Sequence, residues 1–398
     1  MRNIQLLLLL IGAAFSFSGI CQSINDKSKP QRVIIFMIDG FGDDYYRASS
    51  MPSLQKIEKE GIFKIVKSLM PTVTNTNNSS ISTGFFPEVH GITGNSFFDA
   101  KKNEEEYMED SSLLLAPTIF QRAKKFGVKS MMFSSKKKSI SLLSNGAVLA
   151  MSPETASAQW IQLLGKPPEI YSREVNYWLM EGALRSVVKH PEIGCFYIHT
   201  TDYPMHMWAP DDEKSKEHLL KLDSYISAFM KAAPDAAILI TADHSVHHKS
   251  RCWDLAKASA TRGAPIRIAI SAERDKYPKH HRGFGGTSYV YLNQPGDLKK
   301  VREAISKLTG VEKILTRDEA VAAYHLQADR IGDLIVLGDN ATVFGDLETE
   351  SEMLPEGYRS HGSEYESSVP LFLYNAKGAP SAAYFNYNFD LARWLFQK

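Results

Sequence analysis

The chain has 398 residues, of which 43% are hydrophobic and 23% charged, and its formal net charge is +1. This balance is typical of a globular protein with one large domain or two ordinary ones, and it argues against long disordered stretches. A net charge so close to zero gives no electrostatic reason to expect a nucleic acid or a membrane surface as partner, and we predict no nucleic-acid binding.

The N-terminus has the layout of a secretory signal. A basic start is followed by a short apolar run from Ile4 to Phe17 and then by small or polar residues. The run is too short for a membrane span, and no later stretch reaches that length. We therefore predict a signal peptide over residues 1–21 and a periplasmic or secreted protein without stable membrane insertion. A lipoprotein anchored at Cys21 is the alternative, which Ile20 disfavours because a small residue is expected there.

Continuous apolar runs alternate with helix-like segments along the rest of the chain. The runs are "RVIIFMIDGFG" (32–42), "GCFYIHTTD" (194–202), "AAILITADH" (236–244) and "DLIVLGD" (333–339). Runs of this kind are typical of parallel strands that are buried on both faces. The helix-like segments include 51–61, 116–127 and 217–233. The alternation predicts an α/β fold with a mostly parallel sheet flanked by helices.

The pattern changes after residue 245. The segments "PIRIAISAE", "GTSYVYL", "DLKKVREAISKL" and "VEKILTRDEAVAAY" indicate two strands, a helix, and then a strand followed by a helix. We predict a small α+β cap insertion over 246–331, set into a catalytic core formed by 28–245 and 332–398. The "DLIVLGD" run is expected to resume the parallel sheet of the core.

Three of the predicted strands end in a carboxylate, namely Asp39, Asp202 and Asp243. In open α/β sheets the ligand site lies beyond the carboxyl ends of the strands, so we expect these side chains to lie close together. A lone aspartate at such a position is usually a turn or a helix cap. Three aspartates with histidines near them indicate a functional site.

Three histidines accompany these carboxylates. His206 lies in "TTDYPMH", His244 in "TADH" and His361 in "YRSHG". Mixed carboxylate and imidazole ligands suit Zn²⁺ and other first-row divalent ions. We predict two Zn²⁺ ions, because a pair about 3.5–4 Å apart can activate one oxygen and stabilise another during displacement at phosphorus.

A block rich in Thr, Ser and Asn supplies the remaining motif. The segments "TNTNNSSISTG" (74–84) and "HGITGN" (90–95) form an ordered set with "TTDYPMHMWAP", "ITADH" and "YRSHGSEYESSVPL". Over nearly the whole predicted mature chain this set resembles the phosphonoacetate hydrolase family, in the nucleotide pyrophosphatase/phosphodiesterase-like branch of the alkaline phosphatase superfamily. The resemblance implies an alkaline-phosphatase-like core, two zinc ions and a small phosphorus-containing substrate.

The resemblance also implies roles for individual residues. Thr74, rather than Thr72, would be the nucleophile, and Asn95 would donate to a phosphoryl oxygen. The implied metal ligands are Asp39, Thr74, Asp243 and His244 for one ion and Asp202, His206 and His361 for the other. Coordination to a dication makes a threonine alkoxide accessible at neutral pH. The N–H groups of a helix that opens at Thr74 would also face the anion.

The lysine triplet in "FSSKKKSISLL" has two interpretations. A solvated basic turn is the usual fate of three adjacent lysines. In phosphonoacetate hydrolases, however, a K-x-K pair in this region binds the substrate carboxylate, and Lys136 and Lys138 match it. Some related phosphate monoesterases use a K-x-R pair for the phosphoryl group instead. We expect Lys136 and Lys138 to bind substrate and Lys137, in an extended segment, to point away.

Other positions near the motifs are less informative. Ser245 follows the Asp-His pair where relatives commonly carry Gly, a departure that bears on the substrate rather than on the metal chemistry. The segment "HHRGFGG" (280–286) is interpreted as an ordinary loop, with a lid over the substrate as the alternative. Cys195 and Cys252 remain after the predicted cleavage, and their spacing alone does not show whether they pair.

Together these observations predict a two-zinc hydrolase that cleaves the C–P bond of phosphonoacetate to phosphate and acetate through a phospho-threonine at Thr74. The alternative enzyme is a phosphodiesterase, nucleotide pyrophosphatase or phosphomonoesterase that uses the same site on P–O bonds. An exported protein that only binds metal or phosphonate is disfavoured by Thr74 and Asn95, because storage needs no nucleophile. The sequence leaves the oligomeric state open, a homo-oligomer included.

Overall fold

A computed structural model describes residues 30–276 and 282–397 of the chain. The predicted signal peptide and residues 280 and 281 of the Gly-rich segment lie outside the described residues. The helices are α1 (Asp43–Ala48), α2 (Pro52–Glu60), α3 (Thr74–Thr83), α4 (Pro87–His90), α5 (Ile119–Lys125), α6 (Lys137–Leu143), α7 (Ala158–Leu164), α8 (Glu174–Lys189), α9 (Tyr203–Met207), α10 (Glu213–Ala232), α11 (Leu255–Thr261), α12 (Leu298–Ser306), α13 (Arg317–Tyr324) and α14 (Asp390–Arg393). The three helices predicted over 51–61, 116–127 and 217–233 are confirmed as α2, α5 and α10.

The strands are β1 (Val33–Met37), β2 (Ile62–Lys67), β3 (Ser96–Asp99), β4 (Glu104–Tyr107), β5 (Lys129–Ser134), β6 (Leu149–Met151), β7 (Ile193–His199), β8 (Ala237–Thr241), β9 (His247–His248), β10 (Arg251–Trp253), β11 (Ile268–Ser271), β12 (Thr287–Tyr291), β13 (Val311–Thr316), β14 (Leu334–Gly338), β15 (Thr342–Phe344), β16 (Ser351–Met353), β17 (Arg359–Ser360) and β18 (Ser368–Tyr374).

The largest sheet has seven strands in the order β2-β18-β8-β1-β7-β5-β6. β1 pairs in parallel with β7 and β8, and β5 continues the parallel arrangement from β7 to β6. β18 runs antiparallel to both of its neighbours. Every residue of β1 is apolar and buried, because a central parallel strand is covered on both faces and shows no alternation. The predicted α/β class with a mostly parallel sheet is confirmed.

Helices cover both faces of this sheet. Phe36 of β1 meets Phe229 of α10 edge to face, with ring centroids 5.0 Å apart, and such a pair contributes about 0.5–1.5 kcal/mol beyond its buried area. Tyr197 of β7 lies opposite Ile35 and so points to the other face, where its hydroxyl donates to Asn78 of α3. α10 and α3 therefore pack on opposite faces, and α3 is the helix that starts at the Thr-rich motif.

A second sheet of four antiparallel strands has the order β11-β12-β14-β13. It includes the "DLIVLGD" run as β14, so the prediction that this run resumes the parallel sheet is wrong. Leu334 and Val336 of β14 enter one hydrophobic cluster, whereas Ile335 and Leu337 enter another. Burial on both faces gives this antiparallel strand the same unbroken apolar sequence as a parallel one. The described residues from Gln31 onwards form one compact unit, and the division into core and cap stays a prediction.

The carboxyl ends of β1, β7 and β8 meet at one edge of the large sheet. Met37 at the end of β1 lies opposite His199 of β7 and Thr241 of β8. Gly40 follows shortly after with a φ of +76°, and a Cβ atom there would lie 3.0 Å from the Cβ of Asp202. Glycine adopts this conformation at no steric cost and lets the two strand ends approach.

The described residues relate to two further predictions, which concern membrane insertion and the pairing of Cys195 with Cys252. No helix within it is long and apolar enough to cross a membrane. Cys195 and Cys252 are both buried free thiols.

Candidate active site

Two trios of side chains are arranged at this edge of the sheet. Asp39, Asp243 and His244 form one trio, and Asp202, His206 and His361 form the other. Within each trio, ligand atoms of the three side chains lie within 4.8 Å of one another, and all six residues are buried. The structure therefore brings together the predicted ligands in the two sets that the sequence resemblance implies.

The loops after the strands are held by the carboxylates themselves. Asp243 Oδ1 accepts from the backbone N–H groups of Gly40 at 3.1 Å and of His244 at 3.0 Å. The backbone N–H of Asp39 donates to Thr200 Oγ1 at 3.0 Å. These bonds tie the ends of β1, β7 and β8 to one another and fix where the carboxylates point.

Each of the three histidines is oriented by a backbone carbonyl. The Nδ1 atoms of His206, His244 and His361 lie 2.8, 2.9 and 2.8 Å from the carbonyl oxygens of Arg359, Ser245 and Thr72 respectively. Because a carbonyl only accepts, Nδ1 is the donor in each of these contacts, and Nε2 is the ring nitrogen that faces the trios. This is the arrangement that orients a histidine for binding a metal through Nε2.

The site holds more negative charge than its own residues neutralise. Burial and Asp202 act to raise the pKa of Asp39, but Lys136 and His199 outweigh them and hold that pKa below its usual range. Burial, together with Asp39, holds the pKa of Asp243 well above its usual range. Among the described residues Asp243 Oδ2 is buried without a hydrogen-bond partner. Buried carboxylates of this kind are stable when they bind metal ions, so the donor set fits divalent cations.

Thr74 and Thr72 have different surroundings. Thr74 is the first residue of α3, is 2% exposed, and places Oγ1 3.3 Å from His244 Nε2 and 3.4 Å from Asp39 Oδ1. Thr72 Oγ1 instead donates to the carbonyl of Ser363 at 2.7 Å and accepts from the N–H of Gly362 at 3.0 Å. The hydroxyl of Thr74 therefore faces the first trio, whereas that of Thr72 holds the loop that carries His361.

Two of the three adjacent lysines form buried or partly buried ion pairs, and one of them reaches both trios. Lys136 Nζ contacts Asp39 Oδ2 at 2.7 Å and Asp202 Oδ1 at 3.0 Å, one carboxylate from each trio. Burial acts to lower the pKa of Lys136, but Asp202 and Asp39 raise it well above its usual value. Lys138 Nζ forms an ion pair with Asp275. Lys137 is exposed, as predicted, although it starts α6 rather than lying in an extended segment.

Asn95 lies beside a buried carboxyl group that sequence analysis did not identify. Asn95 Nδ2 donates to the carbonyl of Glu273 at 3.3 Å, and Glu273 Oε2 lies 3.7 Å from His361 Nδ1. Burial raises the pKa of Glu273 well above its usual range, against the opposing effect of Lys138, and Asp202 adds to the rise. Glu273 follows β11, so the predicted cap insertion lines the site, and no local signal in "SAERD" marks it.

His199 is a second residue that the sequence analysis missed. Its Nε2 lies 3.2 Å from Asp39 Oδ2 and its Nδ1 lies 2.9 Å from Ser134 Oγ. Burial, the largest effect, lowers its pKa. Its place at the end of β7, three residues before Asp202, was a usable signal, because residues at that end of the strand reach the site.

A buried acid joins the two segments that carry His244 and His361. Glu366 Oε2 accepts from the N–H of Ser363 at 2.9 Å and from its hydroxyl at 2.7 Å. Its other oxygen pairs with Lys249 Nζ at 2.7 Å, and its backbone carbonyl accepts from the N–H of Ser245 at 2.8 Å. Glu366 therefore connects the loop after His361 to the loop after His244.

The chain is similar in sequence and in fold to known proteins. The model of the type I phosphodiesterase / nucleotide pyrophosphatase family matches residues 33–364. The structure of phosphonoacetate hydrolase from Sinorhizobium meliloti 1021 in complex with phosphonoformate is similar with a TM-score of 0.83 and 28% sequence identity, covering 92% of this chain and 95% of that one. This match confirms the predicted resemblance and the alkaline-phosphatase-like fold.

Two relatives are similar in sequence. The chain is 34% identical to bis(5'-adenosyl)-triphosphatase ENPP4 of Bos taurus over 110 residues, which are 27% of this chain and 23% of the relative. It is 24% identical to ectonucleotide pyrophosphatase/phosphodiesterase C27A7.3 of Caenorhabditis elegans over 382 residues, which are 90% of this chain and 46% of the relative. The chain thus spans less than half the length of these relatives.

Proposed function

Because the chain belongs to the type I phosphodiesterase / nucleotide pyrophosphatase family, we propose that it is a two-metal hydrolase acting at phosphorus and that its substrate is phosphonoacetate. The reaction would cleave the C–P bond and yield phosphate and acetate. The observation that carries the proposal is the contact of Lys136 with one carboxylate of each trio, while Lys138 is paired with Asp275 and Lys137 is exposed.

The nucleophile in this proposal is Thr74. Two Zn²⁺ ions, held by Asp39, Thr74, Asp243 and His244 and by Asp202, His206 and His361, would lower the pKa of the attacking hydroxyl and neutralise negative charge on the phosphonate. Thr74 Oγ1 attacks phosphorus, a P–O bond forms and the C–P bond breaks. Water then displaces Thr74 from phosphorus and releases phosphate. The start of α3 at Thr74 supports this role, because the first N–H groups of a helix have no partner within the helix and can bind an anion.

The leaving group explains the need for cations. The electron pair of the C–P bond moves to the carbon and is delocalised into the neighbouring carboxylate before the carbon takes up a proton. Positive charge placed at that carboxylate stabilises the transition state more than the ground state. Lys136 and Lys138 are the cationic side chains on this side of the trios, and we assign them this role. Asn95 would donate to a phosphoryl oxygen.

A second candidate is hydrolysis of phosphate esters at the same site. Sequence similarity to bis(5'-adenosyl)-triphosphatase ENPP4 favours this candidate. The ion pair between Lys138 and Asp275 favours it as well. In this case Thr74 and the two trios act in the same way, and the leaving group is an alcohol or a phosphate.

The test compares phosphate release from phosphonoacetate with hydrolysis of an aryl phosphodiester by the zinc-loaded protein. Replacing Lys136 and Lys138 with Ala should lower kcat/KM on phosphonoacetate at least about a hundredfold, because each charge-assisted contact contributes about 1.5–3 kcal/mol. The diester, which has no carboxylate, should lose far less. Lys137→Ala is the matched control and should leave both activities unchanged. Turnover of the diester without any turnover of phosphonoacetate would favour the second candidate.

Export is part of the proposal. The pattern of residues 1–21 supports cleavage of a signal peptide and a periplasmic or secreted enzyme. N-terminal sequencing of the protein after expression in its host should find a start after Cys21. A start at Met1 in the cytosolic fraction would contradict it.

A further inference from the structure

An ion pair crosses from the predicted core to the predicted cap at the edge of the site. Lys138 lies in the first turn of α6, and Asp275 lies in the loop after β11. Their side chains are 15% and 9% exposed and their charged ends are in contact. The two residues lie far apart in sequence, so the pair forms only when the cap segment folds against α6.

The pair borders the proposed substrate position. Glu273, two residues before Asp275, approaches His361 of the second trio at 3.7 Å. Lys136, two residues before Lys138, contacts Asp39 and Asp202. The same two short segments thus reach the metal trios on one side and form the ion pair on the other.

The ion pair changes what Lys138 offers to a ligand. A lysine that already contacts a carboxylate has its charge largely neutralised at short range, so a carboxylate on the substrate must compete with Asp275 for it. The hydrogen-bonding capacity of an ammonium group is limited to three donors. A phosphonate without a second anionic group meets no such competition.

We propose that Asp275 is a specificity-determining residue that weakens the binding of carboxylate-bearing phosphonates relative to phosphorus compounds without a carboxylate. The inference deepens the proposed function and rests on it. Asp275 thus lowers the affinity for phosphonoacetate without excluding it from the site. Removal of the Asp275 charge shifts the preference towards phosphonoacetate.

Binding of two small phosphonates tests this assignment. Phosphonoformate carries a carboxylate on phosphorus, whereas methylphosphonate has a methyl group in its place. Calorimetric titration of the zinc-loaded protein measures both dissociation constants without requiring turnover. Asp275→Asn should tighten the binding of phosphonoformate at least about tenfold, the size of one charge-assisted contact. The dissociation constant of methylphosphonate should change less than about threefold.

Two further variants separate local charge from other effects. Asp275→Glu keeps the carboxylate and should retain the wild-type ratio of the two dissociation constants. Glu154→Gln makes the same change in net charge at an exposed residue whose side chain accepts from the N–H of Lys137, and it should leave the ratio unchanged. In turnover assays, the ratio of kcat/KM for phosphonoacetate to kcat/KM for an aryl phosphodiester should rise in Asp275→Asn. The same ratio should stay at the wild-type value in Asp275→Glu and in Glu154→Gln.

The outcomes are distinct. An unchanged ratio in Asp275→Asn, equal tightening of both phosphonates, or no binding of phosphonoformate to any variant would overturn the role of Asp275. Absence of turnover on every phosphorus compound, with the expected change in the binding ratio, would overturn the proposed reaction and leave the role of Asp275 in ligand selection supported.

Discussion

Replacing Glu366 with Gln should strongly destabilise the metal-free protein. Glu366 and Lys249 are 0% exposed, and the carboxylate is the anionic partner of the Lys249 ammonium group at 2.7 Å. A glutamine has nearly the same shape but no charge. Its oxygen can accept from Lys249 or from Ser363, but its NH₂ group then faces a donor at the other position. An uncompensated buried charge of this kind costs about 3–5 kcal/mol of the free energy of unfolding.

A matched control lies two residues away. Glu364 pairs with Lys313, and the side chains of this pair are 38% and 42% exposed. Glu364→Gln should cost less than about 1 kcal/mol, because an exposed ion pair is screened by solvent. Urea unfolding in the presence of a chelator measures both variants, so that bound metal does not add to the stability of the folded state.

The effect of Glu366→Gln should depend on pH. Burial acts to raise the pKa of Glu366, but Lys249 and His247 outweigh it and hold the pKa below its usual range. A depressed carboxyl pKa contributes stability that is present above the unfolded value, about 4.3, and is lost as the pH falls below it. The difference in the free energy of unfolding between the wild type and Glu366→Gln should therefore become smaller below about pH 4.3. A free energy of unfolding equal to that of Glu364→Gln at pH 7 would refute this account of the buried pair.

Three other outcomes are expected. Thr74→Ala should abolish turnover and keep the fold. Thr72→Ala should retain measurable turnover and lose stability, because its hydroxyl only holds a loop. The reverse result in activity assays and urea melts would contradict the assignment of Thr74 as nucleophile. Metal analysis should find two divalent ions in the wild type and about one in His361→Ala, because the other ion keeps all its ligands; equal metal content would argue against two separate sites. Burial lowers the pKa of His218 to about 3, so between pH 6.5 and pH 3 the unfolded state binds a proton at this residue and the folded state does not. The free energy of unfolding of the wild type should therefore fall with pH over this range, and His218→Phe should reduce that fall by about 1.4 kcal/mol per pH unit. An unchanged pH dependence in urea melts would contradict this.

The parts of the site that sequence analysis predicted are those that follow strands. Asp39, Asp202 and Asp243 come directly after apolar runs, and the edge of a parallel sheet collects such residues. The hydrophobic pattern marks the strands because burial on both faces excludes polar residues. The same rule produced the error at β14, since a central antiparallel strand covered on both faces has the same pattern.

Apart from His199, which lies at the end of a strand, the residues that sequence analysis missed depend on contacts between distant segments. Glu273 and Asp275 lie in a polar loop, and only the folding of that loop brings Glu273 to His361 and Asp275 to Lys138 of α6. Glu366 looks like one acid among several in "GSEYES", and its burial depends on Lys249 more than a hundred residues earlier. The local sequence does not predict such pairings, because an acid in an exposed loop and an acid in a buried ion pair are the same residue type.

The carbonyl groups that orient the three histidines have a consequence for sequence variation. The accepting groups belong to the main chain of Thr72, Ser245 and Arg359, and every amino acid provides a carbonyl. Substitutions at Ser245 that keep the backbone path therefore leave the proton of His244 in place. Because the main chain orients the three histidines, side chains around the two trios can change while the histidines keep their orientation, and a new substrate preference can arise there without rebuilding the trios.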